Sequence, residues 1–450
     1  MSSLKAIASA VLFAAALSVQ GQEAPVKTAF KFDFGPGKVQ PGYTQVLPST
    51  TYTADKGYGF DYASPVTAQN YPGKNPLRDD YVTSDKPYYF SVRLPEGNYN
   101  IKVLLGDRNG TSATTIKAEC RRLMVEEVKT AKGAFALTEF TVHVRDSLIR
   151  TGGTPTGQVR LKANEGGYLH WDDKLTLEFN NSAPKLCALE ISPAPAATTL
   201  FLAGNSTVVD QAREPWAAWG QMFPAFFLPG KVAIANYAES GETLKAFKGE
   251  RRLEKIWSLA KAGDYLFIEF AHNDMKEGPN HLDPFTTYKA TLKEWIGEAR
   301  KRGVTPVLVS SMHRRTFDST GQIRNSLLDY PEAVRQTAKE ENVALVDLNA
   351  MSKTLYETWG PERSIRAFVH YPAHSFPGQT AALQDNTHFS TYGAYELAKL
   401  VVTGIRNANL PIAQYLKKDL PAYDPAQPAA FEDWKLPQSS FIAVQKPDGN

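Results

Sequence analysis

The stretch SPAPAATT at residues 192–199 constrains the fold most, because the hydrophobic pattern changes its period there. Its prolines cannot continue a strand ladder, so it reads as a linker. Upstream lie short runs rich in Val, Ile, Leu, Tyr and Phe, namely FKFDFG, YYFSVRL, YNIKVLL, FTVHV, QVRLKA, KLTLEF and LCALEI. Gly, Pro, Asn and Asp punctuate them, as in LPEGNYN and NEGGY, and several alternate apolar with polar residues. That pattern predicts an all-β sandwich over residues 25–193. Downstream, strand-like TLFLAG, KVAIANYA, DYLFIEFA, VTPVLVSS and NVALVDL alternate with helical segments. In TTYKATLKEWIGEARKRG, for example, Tyr288, Leu292, Trp295, Ile296 and Ala299 share one helical face. Alternating strands and helices predict a parallel sheet covered on both faces over residues 194–412. A final helix is expected after Ser390 as its N-cap, followed by a Pro-rich tail over 413–450.

With 450 residues, two or more domains are expected. The formal charge of +3 is spread along the chain, which argues against a nucleic-acid partner. The opening MSSLKAIASAVLFAAALSVQGQ has one early Lys, an apolar core and a small-residue end, so residues 1–21 read as a signal peptide. The expected location is therefore secreted or periplasmic, and the apolar run is short for a membrane span. Cys120 and Cys187 are the only cysteines, and both a disulfide and two buried free thiols are open readings.

Polar residues collect where predicted strands end. Ser206 follows TLFLAG, Gly241 follows KVAIANYA, and Asn273 follows DYLFIEFA; near the end of the domain, DNTHFSTYGA supplies Asp385 and His388. A serine hydroxyl needs a base to take its proton as it attacks, and an imidazole needs an acceptor that holds one tautomer. Asp385 and His388 are spaced so that one turn points both the same way. The Ser206 and Gly241 N–H groups and the Asn273 amide are candidate donors to an oxyanion. Each residue also has a plain reading: Ser206 closing a turn, Gly241 serving a backbone conformation, Asn273 capping, and Asp385 with His388 forming a surface turn.

His272 reads as a brace for its loop. His370 and His374 are candidates for the cleft, and too sparse in carboxylates and thiols nearby for a metal, so no metal is assigned. His313-Arg314-Arg315 reads as a contact for an acidic sugar or as a solvated basic turn. The aromatic residues of the first domain read as core, with sugar stacking as the alternative.

FLAGNSTVVDQ, NYAESGETLKAF, GDYLFIEFAHND, TPVLVSSMHRRTFD, VALVDLNAMSKTLYETWG and DNTHFSTYGA together resemble the rhamnogalacturonan acetylesterase family of the SGNH (GDSL-type) hydrolases. The region FKFDFGPG…GYTQV…GYGFD is similar to galactose-binding-like domains. The resemblance implies a flavodoxin-like three-layer α/β/α hydrolase domain behind an all-β sandwich, with no cofactor. It implies Ser206 as nucleophile, His388 as base, Asp385 as its orienting acid, and Ser206, Gly241 and Asn273 as the oxyanion hole. The implied partner is an acetylated plant cell-wall polysaccharide, not a membrane, and nothing in the sequence indicates an oligomeric state. Acetylxylan, a short acyl glycerol, or glycan binding without catalysis are the alternatives. Two positions depart from the family pattern: Asn205 stands where Asp is usual, and Ala271 where Gly is frequent. Asn keeps a hydrogen-bonding oxygen and loses the charge, and the Ala271 methyl is expected to narrow the pocket.

Overall fold

The computed structural model describes residues 27–448, so the expected signal segment lies outside the described residues. Five parallel strands form the central sheet of the second half, in the order Val232–Asn236, Thr198–Gly204, Tyr265–Glu269, Thr305–Val309, Ala344–Val346. Numbered along the chain this is 2-1-3-4-5, the flavodoxin-like order. Period-2 alternation makes the sheet two-sided. Leu200, Leu202, Phe267, Val307 and Val309 pack into one apolar cluster, while Phe201, Ala203, Leu266, Ile268 and Leu308 pack into the other. The helices Leu348–Arg363 and Thr391–Asn407 cover the first face. Arg252–Leu259, Lys289–Lys301 and Tyr330–Glu340 cover the second. In Lys289–Lys301, the stripe read from the sequence (Leu292, Trp295, Ile296, Ala299) is the buried face. Ser390 caps Thr391–Asn407, its side chain accepting from the Gly393 N–H. The result is an α/β/α sandwich.

The first half is a β-sandwich. One sheet carries Phe135–Val144, Gly97–Gly106, Lys185–Pro193, Phe30–Phe34 and Thr44–Val46; the other runs Tyr58–Asp61, Tyr88–Arg93, Lys174–Asn180, Ser112–Ala118, Arg122–Thr130. Between them lies a third core with Phe32, Phe34, Phe90, Ile101, Leu177 and Phe179. Cys120 and Cys187 are both free and buried, so the disulfide reading does not hold. Burial, with nearby carboxylates adding to it, pushes both thiols above their ordinary range.

QVRLKA is not a strand throughout. The strand Thr154–Gln158 ends at Gln158, and the following loop leaves the sandwich. Val159 and Trp171 join the core of the second domain. A short apolar run fits a strand or any other buried segment, so its period did not reveal which surface covers it.

Buried ion pairs line the seam between the halves. Arg122 meets Asp210 at 2.8 Å, Arg121 meets Glu214 at 2.6 Å, and Lys255 meets Glu96 at 2.6 Å. The C-terminal segment crosses the same seam. The Ser439 hydroxyl donates to Glu178 at 2.6 Å, the Phe441 ring packs on Tyr62 and Tyr89, and the Ala443 N–H donates to the Glu214 carbonyl at 2.9 Å.

Candidate active site

The strand Thr198–Gly204 ends in a tight turn. A Cβ on Gly204 would come 2.5 Å from the Val208 side chain, so only glycine lets the turn fold back on itself. Asn205 holds the turn: its Oδ1 accepts from the Thr207 N–H at 3.0 Å and the Thr207 hydroxyl at 2.9 Å, and its carbonyl accepts from the Val208 and Val209 N–H groups. The hydrogen-bonding part of the expected Asp is thus preserved by Asn, while the Asn205 Nδ2 is buried with no hydrogen-bond partner among the described residues. Ser206 sits at the apex, 2% exposed, and its carbonyl accepts from Gln211 Nε2 at 2.9 Å. Beneath the turn, Glu269 accepts from the Thr207 hydroxyl at 2.9 Å and from the Ser311 hydroxyl. Burial pushes the Glu269 carboxyl up, and these hydroxyls oppose the shift.

Asp385 and His388 lie on Leu383–Phe389, which pairs with Phe368–Tyr371. The pairing slips between Phe368 and Val369, so the intervening residues bulge. Asp385 Oδ1 accepts the Thr387 and His388 N–H groups at 2.8 and 3.0 Å, and Asp385 Oδ2 lies 2.8 Å from His388 Nδ1. The expected turn therefore exists, built as a bulge in a strand. Burial raises the Asp385 carboxyl, but its bonds with His388 and Thr387 outweigh burial and hold it at about 2. An ionised acceptor on Nδ1 places the ring proton there and turns Nε2 the other way. The Trp216 ring stands edge-on to His388 at 5.8 Å, and the Ala217 N–H donates to the Phe389 carbonyl at 2.9 Å. The chain leaving Ser206 is thereby stitched to the strand that carries His388. Lys446 Nζ comes within 3.6 Å of Asp385 Oδ2.

Gly241 has φ +81°, a conformation that favours glycine. Asn273 Nδ2 donates to the Glu242 carbonyl at 3.1 Å, and Lys276 Nζ donates to Asn273 Oδ1 at 3.0 Å. One Asn273 N–H is spent on the Gly241 loop, which ties the two together and leaves the other for a ligand. Lys162 reaches the same loop from the sandwich, donating to the Ser240 carbonyl and pairing with Glu242 at 2.6 Å. Around it, burial pushes the Glu239 carboxyl up to about 8, with Glu165 adding to the shift, and pushes Glu242 up to about 7 against Lys162 and Arg252.

A cavity of about 620 Å³ opens beside these groups. Its wall combines Lys162 and Tyr168 of the sandwich, Gln211, Arg213, Trp216 and Ser240 of the second domain, and Ala443 with residues 445–448. Lys162, Gln211 and Trp216 were not among the residues singled out from the sequence. No local signal marks Lys162, which lies 78 positions from Ser240.

The remaining candidates take other places. His272 is 1% exposed, and burial with the nearby Arg314 holds it well below the usual imidazole range. His313 is buried, which lowers it to about 4. Arg314 donates to the His272 carbonyl at 3.1 Å, and Arg315 to Asn386 Oδ1 at 3.1 Å. His313-Arg314-Arg315 is therefore not a solvated turn; its arginines brace the loop that carries Asn273 and the strand that carries Asp385. His370 Nε2 bonds Asn386 Oδ1 at 2.9 Å, whereas His374 lines a separate small cavity with residues 375–380. Among the described residues, no group of three or more His, Cys, Asp or Glu side chains has a metal-holding arrangement.

Residues 30–151 match the Beta-agarase/YXIM esterase-like, galactose-binding domain-like family, and residues 202–394 match the GDSL-like Lipase/Acylhydrolase family. Over 219 residues, 48% of this chain and 93% of the relative, the sequence is 42% identical to the rhamnogalacturonan acetylesterase RhgT of Bacillus subtilis (strain 168). The probable rhamnogalacturonan acetylesterase YesY of the same organism is 34% identical over 50% of this chain and 99% of its own length. A third protein of that organism, the uncharacterized esterase YxiM, is 27% identical over 87% of this chain and 94% of its own length.

Proposed function

The chain belongs to the rhamnogalacturonan acetylesterase family of the SGNH (GDSL-type) hydrolases, and from that premise we propose that it deacetylates pectic rhamnogalacturonan through an acetyl-serine intermediate. It is a carboxylic ester hydrolase, a carbohydrate acetylesterase acting on rhamnogalacturonan or related glycans. Ser206 Oγ attacks the acetyl carbonyl while His388 Nε2 takes its proton, and Asp385 balances the imidazolium charge. The oxyanion is met by the N–H groups of Ser206 and Gly241 and by the spare Asn273 N–H. Collapse releases the sugar hydroxyl, which recovers the proton from His388 as the alkoxide leaves. Water, deprotonated by His388, then attacks acetyl-Ser206 and releases acetate.

The observation that carries this reading is the 2.8 Å bond between Asp385 Oδ2 and His388 Nδ1, on a strand stitched to the Ser206 loop. It supplies the oriented base that a serine alone lacks. The signal-like opening supports export, which suits a polymeric substrate outside the cell. The test is acetate release from acetylated rhamnogalacturonan and from acetylxylan by the wild type and by Ser206→Ala. Release by the wild type alone, fastest on rhamnogalacturonan, is expected. Faster turnover of acetylxylan reassigns the substrate, and equal release by both proteins removes Ser206 from the chemistry.

A further inference from the structure

The loop carrying Gly241 is held from another domain. Lys162 Nζ donates to the Ser240 carbonyl, and that carbonyl belongs to the same peptide unit as the Gly241 N–H. A peptide unit is planar and trans, so its C=O and N–H point in opposite directions, and fixing one fixes the other. A glycine at φ +81° has no Cβ to resist rotation of this unit, so the restraint has to come from outside. Among the described residues, no group accepts the Gly241 N–H. A cationic donor on the carbonyl also polarises the unit and strengthens the N–H as a donor.

Lys162 is itself fixed. It pairs with Glu242 at 2.6 Å, and its N–H donates to Glu165 Oε2 at 2.8 Å. Glu165 accepts from Arg252 in a fully buried pair and from Trp171 Nε1 at 2.9 Å. The sandwich loop is thus docked on the hydrolase by desolvated charges before Lys162 reaches across.

We infer that Lys162 of the sandwich domain is a positioning residue for the esterase reaction: by holding the Ser240 carbonyl it aims the Gly241 N–H at the developing oxyanion. The sandwich is then a working part of the active site. This inference rests on the assignment of Ser206 as nucleophile and Gly241 as oxyanion donor.

The experiment compares the full-length wild type with Lys162→Met, Lys162→Arg and Ser206→Ala, using 4-nitrophenyl acetate and methylboronic acid, whose tetrahedral serine adduct places an oxygen where the oxyanion forms. Lys162→Met is expected to lower kcat about 10- to 100-fold, below or at the low end of the loss of a whole donor. Its KM stays within about two-fold, as for an interaction made only in the transition state. Boronate affinity should fall by the same factor as kcat/KM, and Lys162→Arg should recover most of both. Wild-type kcat in Lys162→Met, with Ser206→Ala inactive, overturns the inference alone. So does lost activity without a parallel loss of boronate affinity, because that pattern is damage to the fold rather than to the donor. Full activity in Ser206→Ala overturns the underlying assignment and this one with it.

Discussion

Ser206, Gly241 and Asn273 stand on loops that leave the carboxyl ends of three neighbouring parallel strands, whereas Lys162 and Tyr168 arrive on a loop that leaves the sandwich at Gln158. The first group takes its position from the sheet: once the strands pair, their ends are neighbours. The second takes its position from charge. Glu165 and Arg252 pair where water is excluded, Lys162 and Glu242 pair at the edge of the cavity, and each pair spans the two domains. Such pairs fix geometry more than they add stability, because desolvation offsets much of their attraction. One candidate site is thus assembled by backbone pairing on one side and by ion pairs on the other.

Changes on the sheet side, and at Lys162 that reaches it, should strike the chemistry, whereas changes at the fully buried ion pairs of the seam should strike the fold. The largest effect is expected for Ser206→Ala, a loss of about 10⁴-fold or more in kcat with the melting temperature nearly unchanged. A comparable rate in this variant would remove the chemistry from the sheet side. Next comes Arg122→Ala, which leaves Asp210 buried without its partner and should cost about 3–5 kcal/mol in urea unfolding. Separate unfolding of the two domains in the wild type would show that this seam does not couple them. Asn273→Ala should lower kcat about 10²- to 10³-fold with little change in KM, measured on 4-nitrophenyl acetate. An unaltered kcat would mean that its spare N–H meets no oxyanion.

The smallest effect sharpens the seam side through pH. Glu239 is raised in the fold to about 8, chiefly by burial and by the neighbouring Glu165. A carboxyl whose folded pKa lies above its unfolded value contributes stability that is complete below the unfolded pKa and lost as pH rises toward the folded one. The wild type should therefore lose melting temperature between pH 5 and 9, and Glu239→Gln should flatten that slope. Equal slopes in the two proteins would assign the loss to other buried carboxyls, such as Glu242 and Asp274, each raised to about 7.

Most of the architecture was legible in the chain. The two periods and the strand ends carrying Ser206, Gly241 and Asn273 are local patterns, and local patterns survive in a linear reading. The break expected at 192–199 is shorter, residues 194–197, because Pro193 still pairs opposite Tyr99 and Thr198 already pairs with Val232. The Asp385–His388 spacing was equally local, although the bulge that realises it depends on pairing with Phe368–Tyr371. QVRLKA misled because apolar alternation reports burial without naming the surface that buries it. The roles of Trp216 and Arg314 were hidden for a related reason: a ring edge against an imidazole and a guanidinium on a distant carbonyl leave no trace in spacing.

By itself, then, the sequence determined which residues stand at strand ends and which faces of strands and helices are apolar, because both follow from side-chain period and turn chemistry. That a lysine of the sandwich holds the peptide before Gly241, and that Ala443 and residues 445–448 share a cavity wall with Trp216, the ring that meets His388, was settled by the tertiary structure alone. Contacts between segments far apart in the chain depend on how two domains dock, and docking is set by complementary surfaces that no single stretch of chain contains.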